Sequence, residues 1–85
     1  FLVGFKAEAN ISKQALLHQA QKKLRESNAD LIVANDVGTE YRKNPENNNV
    51  LVVGSKNVIQ TGWKKKNQIA KIIRTEIEKK LNKSL

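Results

Sequence analysis

The sequence has no cysteine and no methionine, a single proline and histidine, four glycines and only four aromatic residues, Phe1, Phe5, Tyr41 and Trp63. Without cysteine there are no disulfides, no thiolate nucleophile and no thiolate metal site, which fits a reducing compartment, and the cytoplasm is the expected location. No apolar run approaches the roughly 20 residues of a membrane helix, and Phe1 to Phe5 lacks the basic flank and length of a signal peptide. No partnership with a membrane is therefore expected. His18 has no neighbouring ligand residues, so no metal site is built on it. No serine sits in a nucleophile elbow and no glycine-rich phosphate loop precedes a helix, which argues against an autonomous hydrolase or P-loop enzyme.

What the chain does have is 85 residues, enough for one small core, and a net charge of +8. The charge is uneven. Residues 1 to 40 balance, and the whole excess lies from Tyr41 onward. Such asymmetry can mark a surface for polyanions. Because the chain opens on Phe1, with a strand already under way, it is expected to be a fragment whose apolar edges need a partner.

Phe1-Leu2-Val3-Gly4-Phe5 is a short apolar run of the kind buried on both faces of a parallel sheet, and predicts a strand over 1–5. Ser12 can cap the next helix, with Ile11 and Leu16 placed as a hydrophobic staple. Leu16, Leu17, Ala20 and Leu24 recur at spacings of three and four and predict a helix over 13–27. A second continuous run, Leu31 to Ala34, predicts a strand over 30–34 that halts at Asn35-Asp36. Strand, helix, strand is a crossover unit that winds right-handed and gathers ligands beyond the carboxyl ends of its strands.

Residues 38–49 read as a long polar loop. Residues 50–61 read as a β-hairpin around Gly54-Ser55-Lys56-Asn57, either extending the sheet or leaving it as an arm, with Trp63 anchoring the exit by packing. Ile69, Ile72, Ile73, Ile77 and Leu81 form one face of a helix over 67–82, with Lys71, Arg74, Glu78 and Lys79 facing water. The predicted class is α/β: a Rossmann-like three-layer fragment, parallel strands with a crossover helix, then a hairpin and a C-terminal helix.

Three patterns in order carry a resemblance: Val3-Gly4-Phe5-Lys6-Ala7-Glu8, then Ala20 to Leu24 with Lys23, then Ala29-Asp30-Leu31-Ile32-Val33-Ala34-Asn35-Asp36-Val37. Together with Asn48-Asn49-Val50 before the hairpin, they resemble the C-terminal part of the phosphopantothenate–cysteine ligase family, as found in the bifunctional coenzyme A biosynthesis flavoproteins. The resemblance implies that residues 1–85 are the C-terminal part of a single ligase domain. It implies condensation of 4′-phosphopantothenate with cysteine through an acyl-nucleotide, driven by CTP or ATP with Mg2+. It also implies a homodimer, a catalytic lysine upstream of this segment, and dependence on the upstream part of the same ligase, this segment being inactive alone.

By resemblance, Phe5 lies beside the base and ribose, and Lys23 is the first of two helical lysines near the triphosphate. Ser27 occupies the place of the second lysine, bringing a hydroxyl in place of a charge. Asn35 and Asp36 end a strand, where they hold a loop or contact ligand and metal-bound water. Lys6 stands where bacterial members commonly have Ala, and the segment from Ala9 to Gln19 is longer than expected; both point to an archaeal or otherwise divergent branch.

Two other readings exist. The excess of lysine, including Lys64 to Lys66, Lys71 and Arg74, suits a small basic nucleic-acid-binding module, although aromatic residues for base stacking are scarce. A dimerisation arm built on the hairpin is compatible with the ligase reading.

Overall fold

A computed structural model describes residues 1–83. In chain order its elements are β1 (Val3–Glu8), α1 (Lys13–Ser27), β2 (Leu31–Asp36), α2 (Thr39–Lys43), β3 (Asn47–Asn48), β4 (Val50–Val53), β5 (Val58–Gln60), β6 (Lys64–Lys65) and α3 (Lys66–Lys83). The main sheet has the order β1-β2-β4-β5. β1 and β2 run parallel, joined by α1, whereas β4 is antiparallel to both β2 and β5. A two-stranded ladder of β3 and β6 lies apart from that sheet.

Leu31 to Ala34 form an unbroken apolar run because β2 is covered on both faces. Ile32 and Ala34 meet Leu16 and Ala20 of α1, together with Leu51 and Val53 of β4. Leu31 and Val33 point the other way, into a second cluster with Val50, Val52 and Ile69 of α3. Each of these larger side chains contributes roughly 1.5–3 kcal/mol by leaving water, so the three-layer arrangement rests mainly on β2 and β4.

α1 starts where Ser12 adopts extended geometry (φ −68, ψ 153) and its Oγ accepts from the Ala15 N–H at 3.1 Å. Ile11 packs beside Leu16 in the α1-side cluster, as a hydrophobic staple does. The helix stops at Asn28, which takes the left-handed conformation (φ 55, ψ 28) that asparagine tolerates better than most residues.

Several boundaries differ from those the sequence predicts. β1 runs Val3–Glu8 instead of 1–5, and β2 runs Leu31–Asp36 instead of 30–34. The cross-strand ladder continues through Glu8 opposite Asp36, beyond the point where the apolar runs end. Hydropathy marks where covering elements stop, and hydrogen bonding marks where strands stop. The stretch 38–49 contains α2 and β3. The hairpin, closed by Gly54 N–H donating to the Asn57 carbonyl at 2.9 Å, extends the sheet and does not project as an arm.

The apolar stripe of α3 is only partly used: Ile69 is buried, Ile73 and Ile77 are half-buried against the second cluster, and Leu81 stays 44% exposed. Trp63 is also half exposed, so its anchoring is incomplete. No described helix is long and apolar enough to cross a membrane.

Candidate functional site

The loops that follow β1 and β2 meet at the carboxyl ends of those strands, and one side chain ties them together. Asp36 Oδ1 accepts from the Asn10 and Gly38 N–H groups, each at 2.8 Å, and Oδ2 accepts from Ile11 N–H at 3.1 Å. Asn10 returns the contact, its Oδ1 accepting from Thr39 N–H at 2.9 Å. Gly38 is required here, since a Cβ on it would lie 2.3 Å from Asn10 Oδ1. Burial raises the Asp36 pKa, but the three backbone N–H bonds outweigh it and hold the carboxyl below its ordinary value. The carboxylate of Asp36 is thus a staple between loops, with three of its acceptor positions taken.

Asn35 points to the face of the sheet opposite α1, and its Nδ2 reaches Asn48 Oδ1 at 3.4 Å, linking β2 to β3. Phe5 shares that face: Val3, two residues before it, packs with Leu31 and Val33 in the α3-side cluster. Phe5 pairs with Val33 and Ala7 with Asn35, so Phe5 and Asn35 are diagonal neighbours. Strand spacing and rise put their Cα atoms roughly 8 Å apart. α3 does not reach over Phe5, which is 65% exposed.

Lys23 approaches from the other side of the sheet. α1 lies against the face that carries Gly4 and Lys6, and the Lys23 stem passes over Gly4, its Cε 3.9 Å from where a Cβ would be. The ammonium then donates to the Phe5 carbonyl. That carbonyl points away from β2, because the carbonyls of Leu2 and Glu8, at odd spacing from it, are the ones that accept from the segment around β2. β1 is the outer strand of the described sheet, so the Lys23 ammonium meets its outward-facing Phe5 carbonyl, while the Phe5 ring stands on the face opposite α1.

Ser27 is not brought there. Its Oγ donates to the Lys23 carbonyl at 2.6 Å, within the last turn of α1. One side chain that sequence reasoning did not assign to the site is present: Lys6 lines the same hollow as Gln19, Lys22, Lys23 and Glu26. The signal was available in the strand period, since Lys6 is two residues from Gly4 and must share its face. The position of α1 over that face was not available.

The basic run after Trp63 is built into secondary structure. Lys64 and Lys65 pair with Asn48 and Asn47, and Lys66 Nζ lies 5.3 Å from the centre of the Tyr41 ring. Among the described residues, no group of three or more carboxylate, imidazole or thiol side chains is placed to hold a metal ion.

Known proteins provide a frame for this edge. A family model described as the C-terminal domain of DNA/pantothenate metabolism flavoproteins matches residues 1–81. A coenzyme A biosynthesis bifunctional protein CoaBC from Thermococcus kodakarensis is 37% identical over 81 residues, covering 95% of this chain and 19% of the relative. The protein of the same description from Methanocaldococcus jannaschii is 38% identical over 40 residues, 47% of this chain and 10% of the relative. The crystal structure of the DNA/pantothenate metabolism flavoprotein from Streptococcus pneumoniae superposes with a TM-score of 0.75 at 25% identity, over 89% of this chain and 32% of that one. The chain therefore spans less than a fifth of the length of these curated relatives.

Proposed function

The chain belongs to the family of DNA/pantothenate metabolism flavoprotein C-terminal domains, and from that premise we propose that it forms the nucleotide-facing C-terminal part of a phosphopantothenate–cysteine ligase acting in coenzyme A biosynthesis. The observation that carries the reading is the Lys23 ammonium donating to the Phe5 carbonyl of β1, with the Phe5 ring exposed on the other face of the same strand. A cation and an exposed aromatic ring at one strand position suit a nucleoside triphosphate, the ring lying against base or ribose and the ammonium meeting phosphate oxygens.

In the proposed reaction, a carboxylate oxygen of 4′-phosphopantothenate attacks the α-phosphorus of CTP, or of ATP, and pyrophosphate leaves. The amine of cysteine then attacks the acyl carbon, loses a proton, and displaces the nucleoside monophosphate. Residues of this segment act by binding and charge. Lys23 offsets negative charge on the phosphates, and Asp36 keeps the loops beyond β1 and β2 in fixed register so that the edge stays rigid. Magnesium enters as part of the triphosphate substrate, and no step is assigned to residues of this chain through it. The groups that carry the chemistry, including the family's catalytic lysine, are assigned to the portion of the relatives that this chain does not span. The homodimer and the cytoplasmic location implied by the resemblance belong to the same proposal.

The test is the CTP- and ATP-dependent condensation of 4′-phosphopantothenate with cysteine by the intact protein containing this segment. Lys23→Ala should raise the nucleotide KM by about tenfold, the worth of one charge-assisted hydrogen bond. An unchanged nucleotide KM and full rate in Lys23→Ala would remove the phosphate role from Lys23. Failure of the intact protein to form the amide with either nucleotide would remove the ligase reading.

A further inference from the structure

The stripe of α1 that carries Lys23 offers no second cation one helical turn away. Four residues before it is Gln19, and four residues after it is Ser27, whose hydroxyl is spent on the Lys23 carbonyl. A triphosphate binds best when several cations share its charge, and the other α1 cation at the hollow, Lys22, sits beside Glu26. The strand beneath supplies another. Lys6 lies on the α1-facing side of β1 and lines the same hollow as Gln19, Lys22, Lys23 and Glu26.

Two features separate Lys6 from an ordinary solvated lysine. Its side chain is only 31% exposed, and its Nζ is held 3.0 Å from Glu8 Oε1, two residues along the same face. By contrast, Lys22 is 63% exposed and its approach to Glu26 is loose, at 3.8 Å. Lys6 is therefore positioned before any ligand arrives. The neutral Phe5 carbonyl accepts only one of the three protons of the Lys23 ammonium and leaves its charge uncompensated.

We propose that Lys6 and Lys23 form a two-point clamp for the phosphate groups of the nucleotide, with Lys6 supplying the second charge and Glu8 acting as a built-in competitor for Lys6. This rests on the ligase reading for the identity of the ligand, but the clamp is defined by polyphosphate chemistry alone. On binding, Lys6 exchanges the Glu8 carboxylate for a phosphate oxygen and Lys23 keeps its place on the Phe5 carbonyl. Glu8 thereby weakens the binding that Lys6 strengthens, and the two residues have opposite effects on affinity.

The experiment measures binding of inorganic tripolyphosphate to the intact protein by titration calorimetry, in the parent and in Lys6→Gln, Lys6→Arg, Glu8→Gln and Lys71→Gln. Lys6→Gln should weaken binding by about three- to tenfold, as expected for a partly exposed charge contact, and should flatten the dependence of affinity on salt. Lys6→Arg should restore it to within about twofold. Glu8→Gln should tighten binding by about two- to fivefold. Lys71→Gln, the same change in net charge on exposed α3, should leave it within about twofold.

The clamp is overturned if Lys6→Gln matches Lys71→Gln, if Glu8→Gln weakens binding as Lys6→Gln does, or if the parent does not bind tripolyphosphate. Weakening in Glu8→Gln would mean that the Lys6–Glu8 pair only supports the strand. Should the parent bind tripolyphosphate in the expected pattern but form no amide, the ligase reading fails and the clamp stands. Should the amide form with tripolyphosphate affinity unchanged in Lys6→Gln, the clamp fails and the ligase reading stands.

Discussion

Replacing Gly4 by Ala tests the packing that lets Lys23 cross β1. An ideal Cβ at position 4 falls 2.8 Å from Ile32 Cδ1, whereas carbon atoms in contact sit about 3.5–4.0 Å apart. Ile32 is fully buried between α1 and the sheet, so it cannot swing into solvent. Overpacking of this kind costs about 1–3 kcal/mol, and the reduced freedom of the unfolded chain returns about 0.4–1 kcal/mol. The expected net loss is about 1–2 kcal/mol, seen in urea unfolding as a midpoint lowered by about 1 M at unchanged m.

The decisive measurement is a cycle with Ile32→Val, which deletes the very atom the new Cβ would strike. Alone, that change costs about 0.5–1.5 kcal/mol. Combined with Gly4→Ala it should relieve the clash, so the double variant should lose at least about 1 kcal/mol less than the sum of the single losses. Strict additivity, or a Gly4→Ala variant as stable as the parent, would refute the assignment of Gly4 to close packing against Ile32.

Asp36→Asn should lower stability at neutral pH by about 1–3 kcal/mol through loss of charge-assisted bonds to Asn10, Ile11 and Gly38. Because the folded carboxyl titrates below its ordinary 3.8, its contribution is complete above that value and fades as pH falls through the folded value. The gap between parent and Asp36→Asn in thermal unfolding should therefore narrow below pH 3.8, and a constant gap from pH 7 to 3 would contradict the staple. Thr61→Val removes the buried Oγ1 that accepts from Val50 N–H at 3.0 Å and donates to the Gly62 carbonyl, and should cost about 1–3 kcal/mol in denaturant unfolding. Ser12→Ala removes the cap of α1 and should cost about 0.5–2 kcal/mol, with earlier loss of helical circular dichroism on heating.

Much of the architecture was legible in the residues. The helix over Lys13–Ser27 followed from a cap, a staple and a stripe that all act within a few residues of one another, and the structure has the same bounds. β2 and β4 were legible because residues covered on both faces must be apolar without interruption. Other features depend on partners far along the chain. The extension of β1 to Glu8 and of β2 to Asp36 is set by a parallel ladder between residues 28 apart, and polar side chains on exposed strand ends leave no mark of it. The short helix Thr39–Lys43 buries none of its side chains, so its sequence carries no apolar period.

For the site, the sequence alone determined which groups are present: Phe5 and Lys6 beside Gly4, the Lys22-Lys23 pair on the first helix, and a carboxylate at the end of the second strand. Tertiary structure decided which of them meet. The seating of α1 over Gly4 brings Lys23 to the Phe5 carbonyl and Lys6 into the same hollow, while the crossing of two loops commits Asp36 to backbone N–H groups. Sequence spacing fixes neighbours along one helix or one strand. Only the packing of a helix against a sheet fixes which side chains can share a ligand.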